Sequence, residues 1–286
     1  MKGRQTVLVT GSGGQLGSAL LLESRKSKGI DWFFCDSEQL DITDLNQVRD
    51  IFAEKEYDFC INCAAYTNVE KSESEPDKAI AVNLVGVKNI VDTLKNKHTT
   101  LIHISTDYVF DGSKADAYHE LDRPNPINEY GKSKLKGERY ITKHLENYYI
   151  IRTSWLYSAF SSNFYTFIKS KLANNTKIEV ISSQNGSPTS AIDLSRALIH
   201  IMQTDQKNHG IFHFSNSGLT NWYIFAKEII GLIDPNKMNQ LVEIEEFKTK
   251  AKRPANSKLD SSKFERTFGY TIPYWKDALR SVIKGQ

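Results

Sequence analysis

Cysteine is scarce in this sequence: three in 286 residues, Cys35, Cys60 and Cys63. An odd, low count excludes a disulfide framework and fits a reducing compartment. Cys60 and Cys63 are spaced as C-x-x-C, but the stretch Phe59-Cys60-Ile61-Asn62-Cys63 reads as a strand. Residues three apart on a strand point to opposite faces, and no second such pair completes a zinc site. Long apolar runs are also missing. None approaches the roughly 18–20 residues of a membrane span, and the opening MKGRQTVLVTG holds too brief an apolar segment for a secretory signal. A soluble, cytoplasmic protein is expected, with no membrane partner. Charge of one sign is lacking: 37 basic against 34 acidic residues leave +3, without the basic excess of a nucleic-acid binder. No serine sits in a G-x-S-x-G elbow, which excludes that hydrolase pattern. The seven histidines show no metal-ligand spacing, and no metal is expected.

The first half instead alternates short apolar runs with longer amphipathic ones. Thr6–Val9, Trp32–Cys35, Asp58–Asn62, Leu101–Ser105 and Tyr148–Arg152 read as strands, and 15–27, 44–55, 76–96 and 129–145 as helices. This alternation predicts βαβ units and an α/β fold, a Rossmann-like doubly wound parallel sheet covered on both faces. The second half is less regular. Phe164–Asn174, Ala191–Gln203, Asn221–Ile233, Asp260–Phe268 and Trp275–Ile283 read as helices, and Lys177–Ile181, Ile211–Phe214 and Leu241–Phe247 as strands. Thr220 or Asn221 would cap the third of those helices. No repeat and no low-complexity linker appears. The expected division is a dinucleotide-binding core over 1–150 and a smaller α/β substrate lobe over 151–286 that returns segments to the core.

Thr10-Gly11-Ser12-Gly13-Gly14-Gln15-Leu16-Gly17 follows the first strand and opens the first helix. In that context Gly11 permits a tight turn, Gly14 lets backbone approach a pyrophosphate, and Gly17 lets the helix pack close to the sheet. A dinucleotide site also expects an acidic residue at the end of the second strand to bind the adenosine ribose. Asp36 stands there. A carboxylate repels a 2′-phosphate and leans toward NAD, unless basic neighbours such as Lys2 or Arg4 offset it.

Tyr130 and Lys134, four apart, share one helix face. A phenol titrates near 10, and a neighbouring ammonium is expected to lower that value. The pair suits proton donation to a carbonyl oxygen. Thr106 ends the strand Leu101–Ser105, at the sheet edge where ligands bind in open α/β folds. Its hydroxyl can bond a carbonyl or developing alkoxide.

These residues resemble the extended short-chain dehydrogenase/reductase family: T-G-x-x-G-x-x-G near the start, a hydroxyl after strand four, and Y-x-x-x-K on the next helix. Longer phrases are similar to the dTDP-4-dehydrorhamnose reductase branch. They are Asn62–Thr67, Val69–Pro76, Ser105–Phe110, Arg152–Tyr157, Gly186–Thr189 and Arg253–Ser257. The likeness spans nearly the whole chain. It implies hydride transfer from NADPH or NADH to the C4 keto group of a dTDP-linked 6-deoxy sugar, with a nucleotide sugar as the partner molecule. It implies Tyr130 as general acid, Lys134 as its tuner and ribose holder, and Thr106 as the carbonyl-orienting hydroxyl. Asp107, Tyr108 and Trp155 would line the sugar. The cofactor set becomes Gly11, Gly14, Gln15, Leu16, Gly17, Asp36, Asp41, Ile42, Ala64, Ala65, Tyr66, Asn83, Tyr130 and Lys134. Ala64 and Ala65 would let the cofactor lie close over the fourth strand.

One departure bears on metal: Ile192 stands where some members of the family carry a glutamate linked to a magnesium-bridged dimer. The chain is expected to be a monomer or homodimer. Within the basic run Lys248–Arg253, Arg253 is assigned to a pyrophosphate, because a guanidinium binds it bidentately. Tyr223 reads as core, and Trp222 as a cover for a thymine or part of the lobe interface. Two other readings stay open: a reductase or epimerase acting on another nucleotide sugar, and a non-catalytic regulatory subunit that holds the dinucleotide.

Overall fold

The structure, a computed structural model, describes residues 4–204 and 207–285. Its first half runs Gln5–Thr10 (β1), Gln15–Ser24 (α1), Ile30–Cys35 (β2), Leu45–Glu54 (α2), Phe59–Asn62 (β3), Val69–Ser72 (α3), Pro76–Ile80 (α4), Val87–Leu94 (α5), Thr100–Thr106 (β4), Glu129–His144 (α6) and Tyr148–Thr153 (β5). The second runs Leu156–Tyr157 (β6), Phe164–Ala173 (α7), Ile178–Ile181 (β7), Asn185–Gly186 (β8), Thr189–Ser190 (β9), Ala191–Gln203 (α8), Gly210–His213 (β10), Thr220–Asn221 (β11), Trp222–Ile233 (α9), Leu241–Ile244 (β12), Ser262–Phe268 (α10) and Trp275–Lys284 (α11).

Six strands form one parallel sheet in the order β10-β5-β4-β3-β1-β2. Alternate residues of each strand feed two cores, as period-two geometry requires. Val7, Val9, Ile61, Ile102 and Ile151 pack under α1, α8 and α10. Leu8, Cys60, Leu101 and Ile150 pack under α2, α5 and α6. The chain winds outward from β1 to β2 and then back past β1 to β3, so the winding reverses between β1 and β3. Such a switch point opens a crevice beyond the strand ends.

The second half returns three elements to the core, α8, β10 and α10. β10 adds the edge strand beside β5, and Arg196 of α8 pairs with Glu23 of α1 at 3.0 Å. The rest builds its own core around Tyr157, Ile168, Phe225, Ile229 and Trp275. Caps set the helix starts: Asn128 accepts from the Gly131 amide, Asn163 and Thr166 form a capping box, and Asn221 accepts from Ile224.

Two elements differ from the sequence expectation. The helix expected over 76–96 is interrupted by a π-helical turn at Ala81–Gly86, where the Asn83 carbonyl lies so close to α6 that a Cβ on Gly137 would come within 2.4 Å of it. The strand expected over Leu241–Phe247 ends at Ile244, with Phe247 exposed.

Candidate active site

The glycine turn forms one wall of a cleft of about 490 Å³ at the switch point. Gly11 has φ +67°, and a Cβ there would lie 2.6 Å from Ala64 Cα, so no other residue fits. A Cβ on Gly17 would meet Ser12 Cα at 2.4 Å. The close approach expected of that glycine toward the sheet is therefore made by the turn folding over its own helix. Gly14 is the open one, with nothing nearer a Cβ than the Gly11 carbonyl at 3.4 Å. It is also the N-cap of α1, with no side-chain cap and no acidic residue in the first turn. The first amides of α1 thus meet no side-chain acceptor and face the cleft, an arrangement suited to an anion. Gln15, Leu16 and Ala65 continue this wall.

β4 and α6 supply the floor. Thr106 caps the turn after β4: its Oγ1 accepts from the Tyr108 amide at 3.2 Å and donates to Asp107 Oδ1 at 3.1 Å. Thr106 and the Tyr130 phenol line the same cleft. α6 is pressed against this turn so tightly that a Cβ on Gly131 would sit 2.1 Å from the Tyr108 carbonyl, and the Tyr108 and Tyr130 rings meet edge to face at 5.9 Å. Lys134 is 2 % exposed and donates to the Ile104 carbonyl at 2.7 Å.

Electrostatics here follow burial. Desolvation pushes the Tyr130 phenol up to about 12, although the neighbouring Thr106 hydroxyl favours its anion. This corrects the expected lowering by Lys134, whose Nζ donates to the Ile104 carbonyl and lies beside His103. Burial also brings Lys134 down to about 8, partly offset by Glu138. Asp107 is raised to about 7, again by burial, with the polar neighbours Ser257 and Thr106 opposing. Its Oδ2 has no hydrogen-bond partner among the described residues.

The lobe closes the far side. Trp155 lines the cleft with φ +45°, a strained conformation for an aromatic residue. It stacks on Trp222 at 3.7 Å and 11°. Sequence reasoning missed the turn Ser161-Ser162-Asn163-Phe164 and the residues Thr67 and Val69, which also line the cleft. A non-glycine φ of +57° at Ser161 is visible only in the backbone.

Other expected site residues lie around the cleft rather than on its surface. Asp36 sits half-buried beside the turn, its Oδ1 accepting from the Glu38 and Gln39 amides. Asp41 accepts from Thr43, and the buried Ile42 packs under Gly86. Ala64 follows β3, not the fourth strand, and lies beneath Gly11. Tyr66 bonds Glu75 through its hydroxyl. Asn83 is 1 % exposed; its amide bonds both backbone groups of Tyr66 and the Ser133 hydroxyl of α6, so it acts as a brace. Arg253 pairs with Glu70 at 3.4 Å and donates to the Ala251 carbonyl at 3.2 Å. Arg4 is corrected: it pairs with Asp31 at the opening ends of β1 and β2, opposite Asp36, and offsets no charge there. Lys2 lies outside the described residues. Among the described residues no three of His, Cys, Asp and Glu converge as for a metal.

A glycine turn at the switch point, with a threonine, a tyrosine and a lysine gathered beyond β4, defines a nicotinamide-dependent oxidoreductase of the short-chain dehydrogenase/reductase class. A family model described as RmlD substrate binding domain matches residues 5–286. The chain is 37% identical over 284 residues to a dTDP-4-dehydrorhamnose reductase of Sinorhizobium fredii, covering 96% of this chain and 95% of the relative. It is 36% identical to the spore coat polysaccharide biosynthesis protein SpsK of Bacillus subtilis, covering 97% and 96%. A crystal structure of dTDP-4-dehydrorhamnose reductase from Bacillus anthracis, in complex with NADP, superposes with a TM-score of 0.92 at 33% identity, covering 99% of this chain and all of that one. The chain belongs to the dTDP-4-dehydrorhamnose reductase family.

Proposed function

We propose that this protein reduces the C4 keto group of dTDP-4-dehydro-6-deoxy-L-mannose to give dTDP-L-rhamnose. The observation that carries this reading is the convergence of Thr106 and Tyr130 on one cleft, with the buried Lys134 one helical turn further along α6. The uncapped start of α1 and the open Gly14 fit the pyrophosphate of a nicotinamide dinucleotide, and the reduced ring supplies the hydride. Asp36 would take the adenosine ribose. NADPH and NADH are both accepted in this reading, and the relative from Bacillus anthracis binds NADP.

Tyr130 is a neutral phenol at working pH, the state a proton donor needs. Its proton passes to the keto oxygen as the carbon is reduced, so no free alkoxide forms. Thr106 holds that oxygen by a hydrogen bond. Lys134 in its ammonium form favours the phenolate left behind. Asp107, Tyr108 and Trp155 would contact the sugar, and Arg253 the sugar's diphosphate. Residues 1–150 serve as the dinucleotide core and 151–286 mainly as the substrate lobe. Among the described residues no helix is long and apolar enough to cross a membrane, and the reading places the enzyme in the cytoplasm as a monomer or homodimer without a metal.

The test is an absorbance assay of NADPH or NADH with enzymatically prepared dTDP-4-dehydro-L-rhamnose. Signal loss that requires all three components is the expected result. Tyr130→Phe should reduce kcat by about 10² or more. Cofactor binding without turnover of this sugar would turn the assignment to another nucleotide sugar.

A further inference from the structure

Behind Lys134 lies a buried polar chain that the proposed chemistry has not used. Lys134 Nζ is 3.3 Å from His103 Nε2. His103 Nδ1 is 3.1 Å from Asn62 Nδ2, and Asn62 Oδ1 accepts from the Thr10 hydroxyl at 2.8 Å and the Ala64 amide at 3.2 Å. His103 is fully buried and Asn62 is 1 % exposed.

Counting donors settles the proton positions. A backbone N–H can only donate, so Ala64 fixes the Asn62 oxygen on its side and turns the Asn62 NH₂ toward His103. That NH₂ has no lone pair to offer, so Nδ1 accepts and carries no proton. A neutral imidazole then keeps its proton on Nε2, aimed at Lys134. Burial, reinforced by Lys134, holds His103 well below its ordinary range, so the doubly protonated ring does not form at neutral pH. An Nε2–H facing an ammonium is a donor against a donor. Facing an amine, it meets a lone pair.

We infer that Asn62 and His103 are positioning residues of this reaction, acting through Lys134: together they present it with an N–H donor and so bias it toward the amine. Lys134 then gains and loses its proton near neutral pH. The other groups facing it do not reverse this. Cys63, at the end of β3, is kept a neutral thiol by burial, which raises it to about 12. Glu138, one turn on along α6, is bonded to Arg152 and Ser105. The Ile104 carbonyl accepts from either form of the lysine.

This inference rests on the reductase reading for its consequence but not for its test. In protein carrying ¹⁵N-labelled histidine, NMR should show His103 as the neutral Nε2–H tautomer from about pH 6 to 9. A proton on Nδ1, or an imidazolium, overturns the inference. In protein carrying ¹³Cε-labelled lysine, the titration of Lys134 should move up by about one pH unit in His103→Phe, which removes the donor and adds no charge. An unmoved titration overturns it equally. Should that variant fail to fold, the isosteric Asn62→Asp serves. Its carboxylate still accepts from Thr10 and Ala64, draws the imidazole proton to Nδ1, and leaves Nε2 bare to accept from the ammonium. A tautomer unchanged in Asn62→Asp refutes the relay. The alkaline limb of kcat/KM should follow the lysine titration in these variants. A titration that moves while no variant reduces the sugar would sink the reductase reading and leave the relay standing.

Discussion

Asp107 is a buried carboxyl with one oxygen engaged by Thr106 and the other without a partner among the described residues. A buried polar atom left unpaired is costly unless something else meets it. The position at the cleft floor makes a sugar hydroxyl the natural donor. That donor requires the carboxylate, and burial raises Asp107 to about 7, so the accepting form grows as pH rises through that value. Sugar-dependent kcat/KM should therefore climb through about pH 7, and Asp107→Asn should lower it by about tenfold and remove that limb. A variant profile that keeps the same acid limb would assign the titration to another group. At this scale the sequence was only partly legible. The spacing of Thr106, Tyr130 and Lys134 points to one site, and the structure brings all three to one cleft. The upward shift of Tyr130 does not show there, because it comes from burial by Tyr108 and neighbouring backbone. The His103 relay is also silent in sequence, since a histidine inside an apolar strand reads as ordinary core.

The element that organises the site is α6, and two kinds of contact hold it. Gly131 and Gly137 let its backbone meet the Tyr108 and Asn83 carbonyls. One turn beyond Lys134, Glu138 pairs bidentately with Arg152 of β5 at 3.0 and 2.7 Å, both residues being 2 % exposed. Removing one partner of such a pair strands the other charge in the core. Glu138→Ala should cost about 3–5 kcal/mol in urea unfolding, while the double change Glu138→Leu with Arg152→Met should recover most of it. A single variant as stable as the parent would contradict the burial argument. Strands and helices of this core were readable because parallel strands buried on both faces are short apolar runs and their covering helices are amphipathic. The π-helical turn at Ala81–Gly86 was not, because 76–96 keeps a helical polarity pattern throughout. Its interruption is set by α6 and by the Asn83 bonds to Tyr66, which are long-range. The two-residue strands β6, β8, β9 and β11 are too short for any pattern and exist only through their tertiary partners.

Across the whole molecule, residues 248–253 form a strap that runs from the second half of the chain back to α3. Glu70 holds it: its carboxylate accepts from the Lys250 amide at 2.5 Å, the Ala251 amide at 3.4 Å and the Arg253 guanidinium at 3.4 Å. These bonds lower the Glu70 carboxyl from its ordinary range, the Lys250 amide most. Arg253 bonds the Ala251 carbonyl and Glu70, so its guanidinium is held between the strap and α3, with its charge favouring the Tyr108 phenolate. The pair itself is half-exposed and adds little to stability; its effect is to aim Arg253. In the proposed role of Arg253 at the diphosphate, a guanidinium released from Glu70 would have to be ordered again on each binding event, which would weaken substrate capture. Among the described residues no hydrogen bond or ion pair joins this strap to the turn between β1 and α1; its bonds go to Glu70, Asn128 and itself. Glu70→Ala should therefore raise KM for the nucleotide sugar by about tenfold, with the KM for NADPH or NADH nearly unchanged and kcat reduced less than kcat/KM. Steady-state kinetics with each substrate varied in turn separates these effects. An equal loss for both substrates would mean that the strap supports the fold as a whole, and an unchanged KM for the sugar would remove Arg253 from the diphosphate site.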